Sequence, residues 1–177
     1  QAISQCELEC KPGYTDVYFF GIPSTGKTCI LMGLSSSKSL HINLAHGGGD
    51  YAAALQQYTS SGVTVASTPG NFVVTLEANI YSQTSKDVSH NVNLIEMSGE
   101  EFALQIAGNP DHIFTFEDMG SGTTELLRND NRKVFFLIID PTASVVRRTH
   151  QVTDANGNVR LETYSVDQRT VIRKMVD

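Results

Sequence analysis

The stretch TDVYFFGIPSTGKTCIL, residues 15–31, decides how this chain folds. It opens with a short, nearly continuous apolar run, which is typical of a strand buried on both faces in the middle of a sheet. A glycine closes the run, further turn-forming residues follow, and apolar residues then return at helical spacing. The stretch therefore predicts a central strand over 15–21, a glycine-rich turn, and a helix over 26–34.

The turn GIPSTGKT, residues 21–28, matches the pattern Gly-x-x-x-x-Gly-Lys-Ser/Thr, with the flanking strand and helix that this pattern requires. In such a turn, backbone N–H groups and the helix N-terminus form a nest for phosphate oxygens. The lysine supplies a positive charge against the β- and γ-phosphates, and the hydroxyl after it is a ligand for Mg²⁺. We therefore predict that the turn binds a purine nucleoside triphosphate with Mg²⁺, through Gly21, Ser24, Thr25, Gly26, Lys27, Thr28 and Cys29.

The pattern of the rest of the chain predicts an α/β domain. Alternating apolar residues predict strands over 71–81 and 90–99, joined by a polar turn and therefore antiparallel to each other. The run KVFFLIID, residues 133–140, is apolar throughout and predicts a strand buried on both faces. Two alternating runs around Asn156-Gly157 predict a second hairpin over 144–166. Helices are predicted over 50–58, 100–108 and 123–130, with another near 171.

Length and charge narrow the possible classes of protein. The chain has 177 residues and a formal net charge of −6. That length suits one domain, which we expect to span 1–177 with 1–14 as an N-terminal extension. The acidic balance argues against nucleic acid as a partner, and no apolar run is long enough to cross a membrane.

Three cysteines bear on metal binding and on location. Cys29 falls in the first turns of the predicted helix and is expected to be a core residue. Cys6 and Cys10 form a lone Cys-x₃-Cys pair, to which a zinc site would have to add two further ligands. Unpaired thiols favour a reducing compartment, so we expect a cytoplasmic location.

With its elements in this order, the chain resembles a P-loop GTPase domain of the translation-factor-related class, which includes small GTPases and G-protein α subunits. The resemblance covers roughly residues 15–140. It implies a P-loop NTPase three-layer sandwich, with a mostly parallel sheet, one antiparallel edge strand over 72–80, and the hairpin over 144–166 as an addition. It also implies slow hydrolysis of the bound nucleotide, GTP in preference to ATP, as a conformational switch.

The resemblance assigns site residues beyond the turn. NLIEMSGEE, residues 93–101, stands where the family has Asp-x-x-Gly, so Glu96 would approach Mg²⁺ and the Gly99 N–H would bond the γ-phosphate. Thr68 matches the switch threonine that senses Mg²⁺, with Thr64 and Ser67 as alternatives. Glu100 stands where many members have a water-orienting glutamine. The implied catalytic residues are Lys27, Thr68 and Glu100, and the implied metal ligands are Thr28, Thr68 and Glu96.

The segment between the turn and Thr68 is longer than in small GTPases. It contains the helix predicted over 50–58 and the triplet Gly47-Gly48-Gly49. It resembles an insertion in the first switch that could order on nucleotide binding. The alternative is a surface excursion without a role.

Two other functions stay open at this point. In an ATPase or P-loop kinase, Asp140 at the end of the strand over 133–140 would be the magnesium acid and would point at Lys27. In a non-hydrolysing scaffold, the presence of Glu96 and Glu100 at these positions would indicate that hydrolysis has been lost. The guanine-reading motif Asn-Lys-x-Asp does not occur in the chain, and no arginine finger can be assigned. We therefore expect further chain beyond residue 177 or a larger assembly, so the expected partners are GTP or ATP and a protein partner or further domains.

Overall fold

The computed structural model describes residues 9–43, 48–61, 72–82, 88–100, 121–142 and 145–176, with isolated positions 103 and 115. These residues form an α/β structure. Its strands are β1 (Thr15–Phe20), β2 (Leu40–Ile42), β3 (Val73–Tyr81), β4 (Ser89–Met97), β5 (Arg132–Leu137), β6 (Val145–Thr153) and β7 (Val159–Asp167). Its helices are α1 (Lys27–Ser35), α2 (Gly49–Ser61), α3 (Ser121–Arg128) and α4 (Gln168–Val176).

Five strands form one mixed sheet in the order β2-β3-β4-β1-β5. β1 runs parallel to both of its neighbours, β4 and β5, which confirms the central strand predicted from the apolar run. β3 pairs antiparallel with β4, as the first hairpin predicted.

The prediction of a mostly parallel sheet with 72–80 at its edge is wrong. Two of the four strand pairings in this sheet are antiparallel, because β2 also pairs antiparallel with β3. β3 is therefore an interior strand, and β2 is the edge. The physical reason is that the segment after α1 returns to the sheet for three residues, enough to cover the outer side of β3 with backbone hydrogen bonds.

The two faces of the sheet carry separate apolar cores, since successive side chains of a strand point to opposite faces. On one face, α1 and α2 cover Val17 and Phe19 of β1 together with the alternating residues of β3 and β4. On the other face, α3 covers Tyr18 and Phe20. β1 thus has packed neighbours on both faces, and the turn that follows it begins at the end of this packed strand.

Two burial predictions fail at the margins of these cores. Cys29 is exposed on α1, because that side of the helix points away from the sheet. β5 is less buried than its apolar sequence predicts: Phe135 is 55% exposed and Phe136 is 49% exposed. Within the described residues β5 pairs with β1 alone, so the strand has packing partners on one side of its backbone.

β6 and β7 form a separate two-stranded antiparallel sheet, which confirms the second predicted hairpin. Asp154 accepts hydrogen bonds from the backbone of Asn156 and Asn158, and Gly157 has a φ of +83° at the turn. Gln168 at the start of α4 exchanges two hydrogen bonds with the backbone of Asp140. None of the helices in the described part of the chain has the length and apolar character needed to cross a membrane.

Candidate functional site

The glycine loop, residues 21–28, connects the end of β1 to the start of α1. Ser24 has a φ of +65° and Gly26 a φ of +92°, so the backbone winds through left-handed positions before the helix begins. No side chain caps the N-terminus of α1 and its first turn holds no acidic residue. Since the first N–H groups of a helix have no partner within the helix, this end can receive an anion.

The Lys27 side chain lies across the glycine loop and is almost entirely buried. Its ammonium group donates to the backbone carbonyls of Gly21 at 2.7 Å and Ile22 at 3.0 Å. Thr25 Oγ1 donates to the same Ile22 carbonyl at 3.0 Å. The loop carbonyls thus face the lysine, and the lysine holds the turn closed from within.

The end of β4 approaches the glycine loop so closely that Gly99 has no room for a side chain. A Cβ atom at this position would lie 2.2 Å from Gly21 O and 2.8 Å from the backbone nitrogen of Pro23. Both are backbone atoms, which cannot rotate away as a side chain can. The glycine of the Glu-x-x-Gly sequence is therefore required by the packing of the strand end against the loop.

Replacing Gly99 with alanine is expected to lower the free energy of unfolding by about 1–3 kcal/mol, the usual cost of overpacking. The matched control is Gly33→Ala in α1, where an added Cβ meets nothing within 4 Å. That control should raise the free energy of unfolding by about 0.5–1 kcal/mol, because alanine favours a helix over glycine. Urea denaturation of both variants measures the difference. Equal stabilities for the two variants would contradict the close approach.

Glu96 is the centre of the candidate site. It is the penultimate residue of β4, is completely buried, and receives one hydroxyl on each carboxylate oxygen. Thr28 donates to Oε1 from the glycine loop, and Tyr51 donates to Oε2 from α2. Three elements that are far apart in the sequence therefore meet at one carboxylate.

Burial dominates the electrostatics of this site. It lowers the pKa of Lys27 to about 8, while the charge of Glu96 acts in the opposite direction. It raises the pKa of Glu96, and the hydrogen bonds from Thr28 and Tyr51 and the charge of Lys27 offset only part of that effect. Burial, followed by the charge of Glu96, also raises the pKa of Tyr51, so its hydroxyl remains a proton donor. Lys27 and Glu96 are therefore charged groups with little contact with water, and the charge of an added ligand would act strongly on them.

The structure brings some of the predicted site residues together, and others lie outside the residues that it describes. Gly21, Lys27, Thr28, Glu96 and Gly99 lie together, and Gly26 immediately precedes Lys27 in the glycine loop. The Glu100 backbone N–H donates to Ser98 Oγ at 3.2 Å at the start of a helical turn. Thr68, Thr64 and Ser67 lie outside the described residues, as do most of the helix predicted over 100–108 and the cysteine at position 6.

The carboxylate of Asp140 is hydrogen-bonded within its own turn. It accepts hydrogen bonds from the backbone N–H of Thr142 at 2.8 Å and from Thr142 Oγ1 at 2.6 Å. The acid whose charge acts on Lys27 is Glu96. This arrangement does not favour the role of Asp140 as a magnesium acid aimed at the lysine.

Tyr51 is the site residue that sequence reasoning missed. The helix around it was predicted, but nothing in the sequence distinguishes a single tyrosine at the start of a helix from an ordinary core residue. Tyr51 is recognisable as a site residue only in the fold, where its hydroxyl donates to the buried carboxylate of Glu96. The available signal was the length of the segment before Thr68, which the sequence left as either an insertion in the first switch or a surface excursion.

A second buried polar cluster lies at the opposite end of β1, where the parallel strands begin. Asp16 is completely buried, and its carboxyl oxygens accept hydrogen bonds from three side-chain amides. The donors are Asn93 at 2.6 Å, Asn129 at 2.7 Å and Asn131 at 3.0 Å. We call these three residues the amide cage. They join β4 and the turn after α3 to β1, and thereby hold the strand that carries the glycine loop.

Cys10 lies beside this cluster, and burial together with the neighbouring Asp16 raises its pKa to about 12. A cysteine binds zinc as a thiolate. The described residues contain no group of three or more histidine, cysteine or acidic side chains placed to hold a metal ion. This environment favours a structural thiol over a metal ligand at Cys10.

Alkylation with iodoacetamide tests the state of this thiol. Because the raised pKa keeps the group protonated, Cys10 should react on the order of a thousandfold more slowly at pH 8 than in the unfolded chain. Its rate should still be rising at pH 10, as the thiolate fraction grows tenfold for each pH unit below the pKa. Exposed Cys29 is the internal control, and mass spectrometry of the two peptides gives both rates. Rapid labelling of Cys10 at pH 8 would contradict this description.

No protein-family model, no curated protein and no solved structure matches this chain. The resemblance to P-loop GTPases therefore stays a prediction from the sequence. The function has to be argued from the site itself.

Proposed function

We propose that the chain binds a purine nucleoside triphosphate with Mg²⁺ in the glycine loop and hydrolyses it slowly, as a conformational switch of the P-loop GTPase type. The observation that carries this proposal is the hydrogen bond between Thr28 and Glu96. It joins the hydroxyl that follows the loop lysine to the acid at the end of the neighbouring parallel strand. That is the pairing on which a phosphate loop with a metal-binding acid depends.

The residues present fit a magnesium ion. Mg²⁺ prefers oxygen ligands and is held through one or two protein oxygens together with substrate phosphates. Thr28 uses its proton in the bond to Glu96, which leaves the lone pairs of its oxygen for a metal. Thr28 would hold the ion, with Glu96 behind it, and the bound ion would neutralise charge on the phosphates.

The chain itself supplies binding, orientation and exclusion of water. Lys27 would exchange its two carbonyl partners for phosphate oxygens, and its burial increases the strength of that interaction. The uncapped N-terminus of α1 would face the same phosphates. Glu100 would orient or deprotonate water, a role suggested only by its position after Gly99.

GTP is favoured over ATP because of the strand next to the acid. An antiparallel neighbour of the metal-acid strand is a feature of the GTPase class to which the sequence bears a resemblance, and β3 supplies it for β4. The thiols of Cys10 and Cys29 are unpaired, which favours the reducing cytoplasm as the location of the protein.

Phosphate release from GTP tests the enzymatic part of this proposal. We expect slow turnover that depends on Mg²⁺, on the order of 10⁻⁴ to 10⁻² s⁻¹, as is usual for such switches without a partner. A chain that binds MgGTP and releases no phosphate over hours would instead be a nucleotide-binding scaffold. Release from ATP at a higher kcat/KM than from GTP would establish the ATPase alternative.

A further inference from the structure

The Glu96 carboxylate has a second hydrogen-bond donor that the phosphate-loop pattern does not include. Thr28 and Tyr51 each hold one oxygen of this carboxylate. Thr28 belongs to the glycine loop, whereas Tyr51 comes from α2, in the long segment between α1 and β3. The carboxylate is therefore fixed from two independent parts of the fold.

Packing determines where the Tyr51 hydroxyl lies. The tyrosine ring contacts Phe72 with 5.2 Å between ring centroids. Next to α2, a Cβ atom on Gly48 would lie 2.3 Å from Thr75 O, so only glycine lets the start of the helix approach β3 this closely. Ala52 and Leu55 of α2 are fully buried in the core that also contains Leu31 of α1. α2 is thus a packed element, not a surface excursion.

The side chain of Glu96 needs such a second donor. A glutamate side chain has one more rotatable bond than the aspartate that P-loop GTPases, which the chain resembles, have at this position. A single hydrogen-bonded hydroxyl would therefore leave the Glu96 carboxylate free to rotate. The second hydroxyl removes that freedom. Groups that orient a metal ligand from behind it change metal affinity or activity by about 10- to 100-fold when they are removed.

We propose that Tyr51 is a positioning residue for Mg²⁺: it fixes Glu96, which in turn orients the Thr28 hydroxyl, and it couples α2 to the metal. This inference rests on the proposed function. Because coupling between two equilibria is reciprocal, binding of MgGTP must also hold α2 more tightly. The segment that carries α2 then becomes the element through which the nucleotide state is transmitted.

The test compares Tyr51→Phe with Tyr58→Phe. Both variants lose one hydroxyl from α2 and keep the ring, and Tyr58 is 40% exposed. Binding of a fluorescent GTP analogue is followed at increasing Mg²⁺ and again in EDTA. For Tyr51→Phe we expect the Mg²⁺ concentration at half-saturation to rise about 10- to 100-fold, with the affinity in EDTA unchanged. Tyr58→Phe should match the wild type in both conditions.

Hydrogen exchange gives a second readout that does not depend on turnover. In the wild type, MgGTP should slow amide exchange in α2 more than GTP in EDTA does, and Tyr51→Phe should lose that difference. Equal Mg²⁺ dependence in Tyr51→Phe and wild type, in a chain that binds MgGTP, would overturn this inference and leave the proposed function standing. Weaker binding of the variant in EDTA as well would assign Tyr51 a packing role and also overturn it. A wild type that binds no triphosphate would refute the proposed function itself.

Discussion

Lys27→Ala is expected to weaken the binding of MgGTP by about 2–5 kcal/mol, a factor of roughly 30 to several thousand. The ammonium group is the buried positive charge of the glycine loop, and in a site with little water it should attract a phosphate far more strongly than a surface lysine would. Removing it leaves the phosphate charge without its main partner from the chain. Isothermal titration of the variant with MgGTP measures the loss.

The lysine also bonds two carbonyls of its own loop, so a change in loop structure has to be separated from the loss of charge. Lys27→Met keeps most of the apolar stem and should lose affinity to a similar extent. Lys38→Ala removes an exposed lysine after α1 and should bind as the wild type does. Thermal unfolding of all three variants shows which remain folded. Wild-type affinity in a folded Lys27→Met variant would contradict a direct role for the ammonium group.

Asp16→Ala is expected to lower the free energy of unfolding by about 3–5 kcal/mol. The substitution removes a fully buried carboxyl group and leaves the three donors of the amide cage without their shared acceptor. Buried donors that lose a partner cost about 1–3 kcal/mol each, and those nearer the surface cost less because water replaces the partner. Urea denaturation, with ΔG extrapolated to water, measures the change.

The control for this variant lies in the same turn. Asp130→Ala removes an exposed acid between Asn129 and Asn131 and should change the stability by no more than about 0.5 kcal/mol. Asp16→Asn keeps the size of the side chain and places a donor among donors, so it should also destabilise the fold. Equal stability of Asp16→Ala and Asp130→Ala would show that the amide cage does not hold the sheet together.

The strands could be predicted from the sequence where a local pattern determines them. Alternating residues located β3 and β4, and the apolar run before the glycine loop located β1. β2 could not be found, because three residues are too few to show a period of two and its pairing with β3 depends on the path of the chain after α1. The exposure of β5 could not be predicted either, because an apolar run shows that a strand can be buried but not which element covers it.

The candidate site was predictable to the extent that it follows a spacing rule. Lys27 and Thr28 come from the glycine-loop pattern, and Glu96 and Gly99 from their place at the end of the second long strand after that loop. Tyr51 depends on how α2 packs, which no short pattern encodes. Asp16 illustrates the same limit: it is the one charged residue of a mostly apolar strand, and its partners come from two other elements.

Titration of the wild-type chain with GTP and with ATP, each in Mg²⁺ and in EDTA, shows whether the glycine loop binds a triphosphate. We expect saturable 1:1 binding of a nucleoside triphosphate that Mg²⁺ strengthens, with GTP preferred, and loss of that binding in Lys27→Ala. Absence of binding by either nucleotide, or binding that Lys27→Ala leaves unchanged, would contradict the claim that the glycine loop is a phosphate site.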